Sequence, residues 1–193
     1  THSLIFIPFG SAVLAIIFHR LLAGKAQISF LEAWLFCGTG LATHGLLDAA
    51  TSYGTMLFWP FSSAPITLNI VSIIDPLFTA PVTIFVITGV VLKDGRWGCL
   101  AMIWAATYLL AAAIQQQNAI SLVRSLADNR GHTMNKLVVK PTFGNILLWR
   151  SVYEFGGYFY VDAVRPAPSP KIFTGAKIQK LDVARDFPWV DSS

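Results

Sequence analysis

His44 and Asp48 stand four residues apart at the end of a long apolar run, and a cluster of hydroxyl side chains follows at once: Thr51, Ser52, Tyr53 and Thr55 around Gly54. On an α-helix, residues four apart project from one face, one turn apart. An imidazole and a carboxylate so placed can share one divalent ion. The hydroxyls then offer hydrogen bonds that orient the ligands or bind a substrate oxyanion. A second reading is open for each group. The carboxylate can hold the imidazole inside a helix bundle with no metal, and the hydroxyls can be ordinary turn residues. Either way, polar groups at the mouth of an apolar span are costly and need a reason to be there.

Two more residues belong to the same question. His2 precedes the first apolar run, flanked by Thr1 and Ser3, and is either a ligand or an interfacial residue. Asp75 precedes Pro76, which reads as an N-cap carboxylate before a proline at the first helical position. Its functional reading is a carboxylate at the positive end of a helix dipole, acting as a base or orienting a neighbour. His19 falls at the opposite end of its span and is excluded. His132 follows Gly131 and is expected in a solvent-exposed loop. Cys37 and Cys99 lie in apolar segments and read as small buried hydrophobes, not as a disulfide framework. The sequence carries no Gly-rich phosphate loop, no Ser–His–Asp order and no cysteine-nucleophile signature.

The elements that must position these residues are apolar. Of the 193 residues 54% are hydrophobic and 12% charged, with a mean hydropathy of +0.59, against about 25% charged residues in an ordinary soluble domain. The charge is uneven. Residues 1–116 hold four cations and four anions, so the whole net charge of +4 lies in the tail. Apolar segments run over Leu4–Phe18, Ile28–Leu47, Pro76–Leu92 and Gly98–Ile114. The sequence therefore predicts an α-helical membrane bundle of about four transmembrane or membrane-embedded helices over residues 1–118, then a small, water-exposed, mainly antiparallel β module over 119–193. The basic excess is mild and scattered. It fits a surface near anionic lipid head groups and lacks the clustered patch of a nucleic-acid site.

Loop charges set an orientation. Arg20 and Lys25 lie in the first loop, Lys93 and Arg96 in the third, and the segment 51–68 carries neither lysine nor arginine. The positive-inside rule places the first and third loops in the cytoplasm and the second outside, with the β module outside as well. His2, His44, Asp48, Tyr53 and Asp75 then all face one side of the membrane.

In the tail, Ala119–Asn129 reads as a short helix or an extension of the fourth span, closed by Gly131. Lys136–Lys140, Asn145–Phe155, Tyr158–Arg165 and Lys171–Leu181 read as strands. Gly156-Gly157 is a two-residue hairpin signal. It pairs Phe155 with Tyr158, Tyr153 with Tyr160 and Trp149 with Val164, which collects aromatic side chains on one face. That face is a small core, a docking face or a lipid-contact surface. Residues 166–170, rich in proline, form a stiff connection.

The stretches Thr1-His2-Ser3-Leu4, His44-Gly45-Leu46-Leu47-Asp48, Thr51-Ser52-Tyr53-Gly54-Thr55, Pro60-Phe61-Ser62 and Ile74-Asp75-Pro76-Leu77-Phe78-Thr79 resemble, in order and spacing, the YdjM family. In the tail, Lys140-Pro141-Thr142 and Leu148-Trp149-Arg150 resemble it too. These are bacterial inner-membrane proteins labelled LexA-binding or LexA-regulated metal-dependent hydrolases, a label that rests on likeness to zinc-dependent phospholipases. The resemblance implies a multi-pass inner-membrane location and a divalent metal, zinc, on His2, His44 and Asp48. It places Asp75 near them; with a metal so held, Asp75 is the candidate general base or orienting group, and Tyr53 or Thr51 the candidate to hydrogen-bond the substrate. A site at the membrane surface points to membrane lipid and a lipid-linked phosphoester substrate as partners, and the resemblance alone adds an association with or regulation by LexA. Family members carry further acidic and histidine residues immediately before Thr-His-Ser, so additional ligands are expected upstream of Thr1. The rival class is a non-catalytic integral membrane protein that docks a partner through its C-terminal module.

Overall fold

The computed structural model describes residues 3–22 and 28–187. Four helices come first and a four-stranded antiparallel sheet follows, the order expected from the sequence. Contacts divide the chain into two compact units, Thr1–Ile73 and Ile74–Ser193. The fourth helix, Arg96–Asn129, runs on through residue 118 into the tail.

In the first unit, α1 (Ile7–Leu22) packs on α2 (Phe30–Ala50). Small residues line the contact. Ser11 and Ala15 of α1 are buried, as are Ala33 and Gly45 of α2. A Cβ placed on Gly38 would sit 3.6 Å from the Ser11 side chain. Such residues let two backbones approach closely without large side chains between them. Trp34 adds an interhelical bond, its indole N–H donating to the Pro8 carbonyl at 3.0 Å. A capping box starts α2: the Glu32 amide donates to Ser29 Oγ, and the Ser29 amide donates to Glu32 Oε2. The last carbonyls of a helix have no partner within it. Here the returning chain supplies them, with the amides of Leu68 and Ile70 donating to Ala49 and Ala50, each at 2.8 Å.

In the second unit, α3 (Pro76–Leu92) and α4 (Arg96–Asn129) form a hairpin joined by Lys93–Gly95. The expected start of α3 is met, with Asp75 as N-cap and Pro76 at the first turn. The fourth span does not stop at Ile114. It continues as one helix to Asn129, and its last three turns form the floor of the sheet. Strands β1 (Leu137–Pro141), β2 (Trp149–Phe155), β3 (Tyr158–Arg165) and β4 (Lys171–Gln179) follow in spatial order. Phe155 pairs with Tyr158, Tyr153 with Tyr160 and Trp149 with Val164, the register read from the Gly156-Gly157 turn. The aromatic face is a core. Trp149, Tyr153 and Val164 pack with Val139 against Ala119, Val123 and Ala127 of α4. β2 begins four residues later than expected because Asn145 closes a turn first. Its Oδ1 accepts from the amides of Leu147 and Leu148 at 2.9 and 2.8 Å.

Among the described residues one helix, α4, is long and apolar enough to cross a membrane, and α1 and α3 are shorter apolar helices. At about 1.5 Å per residue, helices of 16 and 17 residues fall short of a hydrocarbon core about 30 Å thick. The two cysteines depart from expectation. Both are free, Cys37 is half-buried and Cys99 is exposed. The apolar segments are longer than the protein surface available to cover them, so a residue in such a segment is not thereby buried.

Candidate metal and substrate site

The last turns of α2 carry His44 and Asp48 on one face. His44 Nε2 lies 3.6 Å from Asp48 Oδ2, with side-chain exposures of 58% and 27%. A tetrahedral zinc with bonds of about 2.0–2.2 Å holds two ligand atoms about 3.3–3.6 Å apart. The separation therefore matches that of two corners of such a site. Among the described residues no group of three or more His, Cys, Asp or Glu side chains is placed to hold a metal. His2, the third ligand expected from the sequence, lies outside the described residues.

Thr51 ends α2 and braces the turn that carries Asp48. Its hydroxyl donates to the Asp48 carbonyl at 2.7 Å, its amide donates to the same carbonyl at 3.1 Å, and its Oγ1 accepts from the Tyr53 amide at 3.1 Å. Thr51 is buried, whereas the Tyr53 side chain is 76% exposed. Gly54 has φ +88°, and a Cβ there would meet Thr67 and Pro65 at 3.0 and 3.2 Å. Only glycine fits this left-handed position at low cost. Thr55 then pairs with Ile66 through its backbone, and its buried Oγ1 has no hydrogen-bond partner among the described residues.

Asp75 belongs to the second unit and is 3% exposed. Its Oδ1 accepts from the amides of Leu77 and Phe78 at 3.1 and 3.2 Å, and its Oδ2 accepts from the Tyr108 hydroxyl at 2.7 Å. No motif in the sequence marks Tyr108. The available signal was a lone phenol in an apolar span, which needs a partner when buried.

A further polar group ties the end of α4 to the sheet. Arg130 donates to both oxygens of Asp162, at 2.6 and 3.2 Å, and to the Tyr153 hydroxyl at 2.9 Å. The Asp162 carboxylate holds the guanidinium even further above its usual range. His132 corrects an expectation: it is half-buried, not solvent-exposed. Gly131, with φ +69°, turns the chain back under the sheet. The imidazole then stacks on Phe155 at 4.3 Å between centroids, with Nδ1 2.9 Å from the Tyr153 hydroxyl.

No curated protein and no solved structure gives a significant match to the chain. A family model does match, over residues 1–119. That region takes in α1, α2, α3 and most of α4, and so includes the His44–Asp48 turn, the Thr51–Thr55 segment and Asp75. It ends before the sheet. The match covers more than half of the chain, which therefore belongs to the family described as YdjM inner membrane protein.

Proposed function

We propose that the protein is a multi-pass, membrane-embedded, metal-dependent hydrolase acting at the membrane surface on a lipid-linked phosphoester. The observation that carries this reading is the 3.6 Å separation of His44 Nε2 and Asp48 Oδ2 on a half-open helix face. Two observations support the membrane setting. None of the residues of α3 is buried, although its sequence is apolar on every side, and such a helix needs an apolar surrounding. The family is described as an inner membrane protein.

In this proposal His44 and Asp48 hold the metal together with His2. Zinc held there supplies Lewis acidity and activates water near neutral pH. Thr51 keeps Asp48 in place by bonding its carbonyl. Tyr53, exposed two residues on, presents its hydroxyl to the head group of the substrate. Asp75 receives no chemical role, because three hydrogen bonds occupy its carboxylate. The site faces the external side, where the segment 51–68 carries no lysine or arginine. The test is metal content. Purified protein is expected to carry one equivalent of zinc, and His44→Ala and Asp48→Ala to lose it while keeping their helical content. A metal-free wild type, or full zinc retention in both variants, refutes the proposal.

A further inference from the structure

The sheet of the second unit has one face packed on α4 and one turned away from it. On the outward face, Lys140 of β1 stands directly opposite Arg150 of β2, and Arg165 of β3 directly opposite Lys171 of β4. Alternation along the strands places all four on that face, since their neighbours Val139, Trp149 and Val164 point into the core. The row is staggered: Arg150 faces Ala163 across β2 and β3, so the Arg165–Lys171 pair sits two residues further along the strands, and at about 4.8 Å between strands the four cations spread over about 14 Å across the sheet. Lys140, Arg150 and Lys171 are exposed and Arg165 half-buried. Arg165 bonds to Ser169. Among the described residues none of the four is in an ion pair. Like charges placed directly opposite one another destabilise a sheet, and two such pairs on one face make it a surface suited to an anion.

Where the row lies says which anion. The two ends of β2 are fixed differently. Toward the Phe155 end, the Tyr153 hydroxyl meets Arg130, the residue that follows α4, and His132. At the Trp149 end, the turn from β1 to β2 reaches the start of α3: a Cβ on Gly144 would sit 3.4 Å from Pro76 Cδ. Pro76 begins the apolar α3, so this end of the sheet lies at the level where the α3–α4 hairpin leaves its apolar surrounding. All four cations lie toward this end. The same turn carries Phe143, 73% exposed, and Leu147, also exposed. At the other end, Glu154 answers Lys180 at 2.6 Å.

We propose that this end of the sheet is a lipid-docking surface: Phe143 and Leu147 enter the bilayer interface, and the row Lys140–Arg150–Arg165–Lys171 binds anionic phospholipid head groups. The inference rests on the membrane reading of α3 and α4 and not on the hydrolase chemistry. Basic residues close to a membrane surface are attracted by anionic lipid within about one Debye length, which is about 8–10 Å.

The whole protein, with Cys37 and Cys99 replaced by alanine, is reconstituted in phosphatidylcholine vesicles or in an equimolar mixture with phosphatidylglycerol. Nitroxides are placed at Phe143→Cys, at Gln179→Cys near the far end of the sheet and at Val90→Cys on α3. The label at 143 is expected to favour oxygen over a water-soluble nickel chelate, as at 90, and the label at 179 the reverse. A label at 143 as water-accessible as that at 179, with 90 in lipid, overturns the docking surface alone. A water-accessible label at 90 overturns the membrane reading beneath it. A second measurement reads the row itself. Arg150→Gln is expected to raise the unfolding midpoint in neutral detergent, by relieving repulsion from Lys140, and to lower it in the phosphatidylglycerol mixture. The same sign in both refutes lipid binding by the row. Stabilisation by soluble single-stranded DNA with none from phosphatidylglycerol refutes it in favour of a nucleic acid.

Discussion

Tyr108 donates its hydroxyl hydrogen to Asp75 Oδ2 at 2.7 Å, joining the middle of α4 to the first residue before α3. The other oxygen of the same carboxylate caps α3. One buried side chain thus fixes where α3 begins and how far along α4 it sits. The ring of Phe78 lies 5.6 Å from that of Tyr108 and shields the bond.

This arrangement predicts an order of stabilities. Tyr108→Phe removes the interhelical bond alone, worth about 0.6–2 kcal/mol between membrane helices. Asp75→Ala removes it and the cap as well, a further loss of about 0.5–2 kcal/mol. Unfolding midpoints in detergent are expected to fall from wild type to Tyr108→Phe to Asp75→Ala, with zinc content unchanged in both variants. An Asp75→Asn variant that unfolds like wild type yet loses all hydrolysis would instead mark this carboxylate as a chemical base.

The Asp75 case shows what the sequence can and cannot carry. The N-cap was legible because its partners lie two and three residues away and Pro76 marks the turn. The Tyr108 bond was not, because it spans 33 residues and depends on how two helices slide past each other. The β2–β3 register was legible for the same local reason: Gly156 and Gly157 both take positive φ, at 58° and 77°, as a two-residue hairpin requires. What the aromatic face packs against was only half legible, since the sequence allows Ala119–Asn129 either as a separate short helix or as the extension of the fourth span that the structure shows. The position of His132 follows from that same continuation. His44 and Asp48 were legible as a pair by spacing alone, and a third ligand at long range is beyond what spacing can show.

The Arg130–Asp162 pair gives a second prediction. Asp162 is 3% exposed, and besides Arg130 its carboxylate accepts the Gly175 amide, at 2.9 Å. Removing one member of a buried ion pair strands the other charge, at a cost of about 3–5 kcal/mol. Arg130→Met and Asp162→Asn should each destabilise the second unit strongly, whereas the double variant should lose much less than the sum. A double-mutant cycle by chemical unfolding measures this. Additive losses, with coupling below about 0.5 kcal/mol, would show that the two groups act independently.

Gly175 carries the last prediction. It sits in β4 opposite an irregularity between Val161 and Ala163 of β3, and a Cβ there would come within 2.1 Å of the Val161 carbonyl oxygen. The obstruction is backbone, so no side chain can rotate to make room. The strand must move away, and its amide then leaves Asp162. Overpacking of this kind costs about 1–3 kcal/mol, and the loss should fall mainly on β4, an edge strand exposed along its whole length. Gly175→Ala should therefore raise amide exchange across Lys171–Gln179 and open Lys177 to trypsin, while β1, β2 and the packing of Trp149 on α4 keep their protection. If β4 exchanges as slowly in the variant as in wild type, the close approach of Gly175 to Val161 does not hold the strand in place. If protection falls equally in all four strands, the sheet unfolds as one unit and β4 has no separate stability to lose.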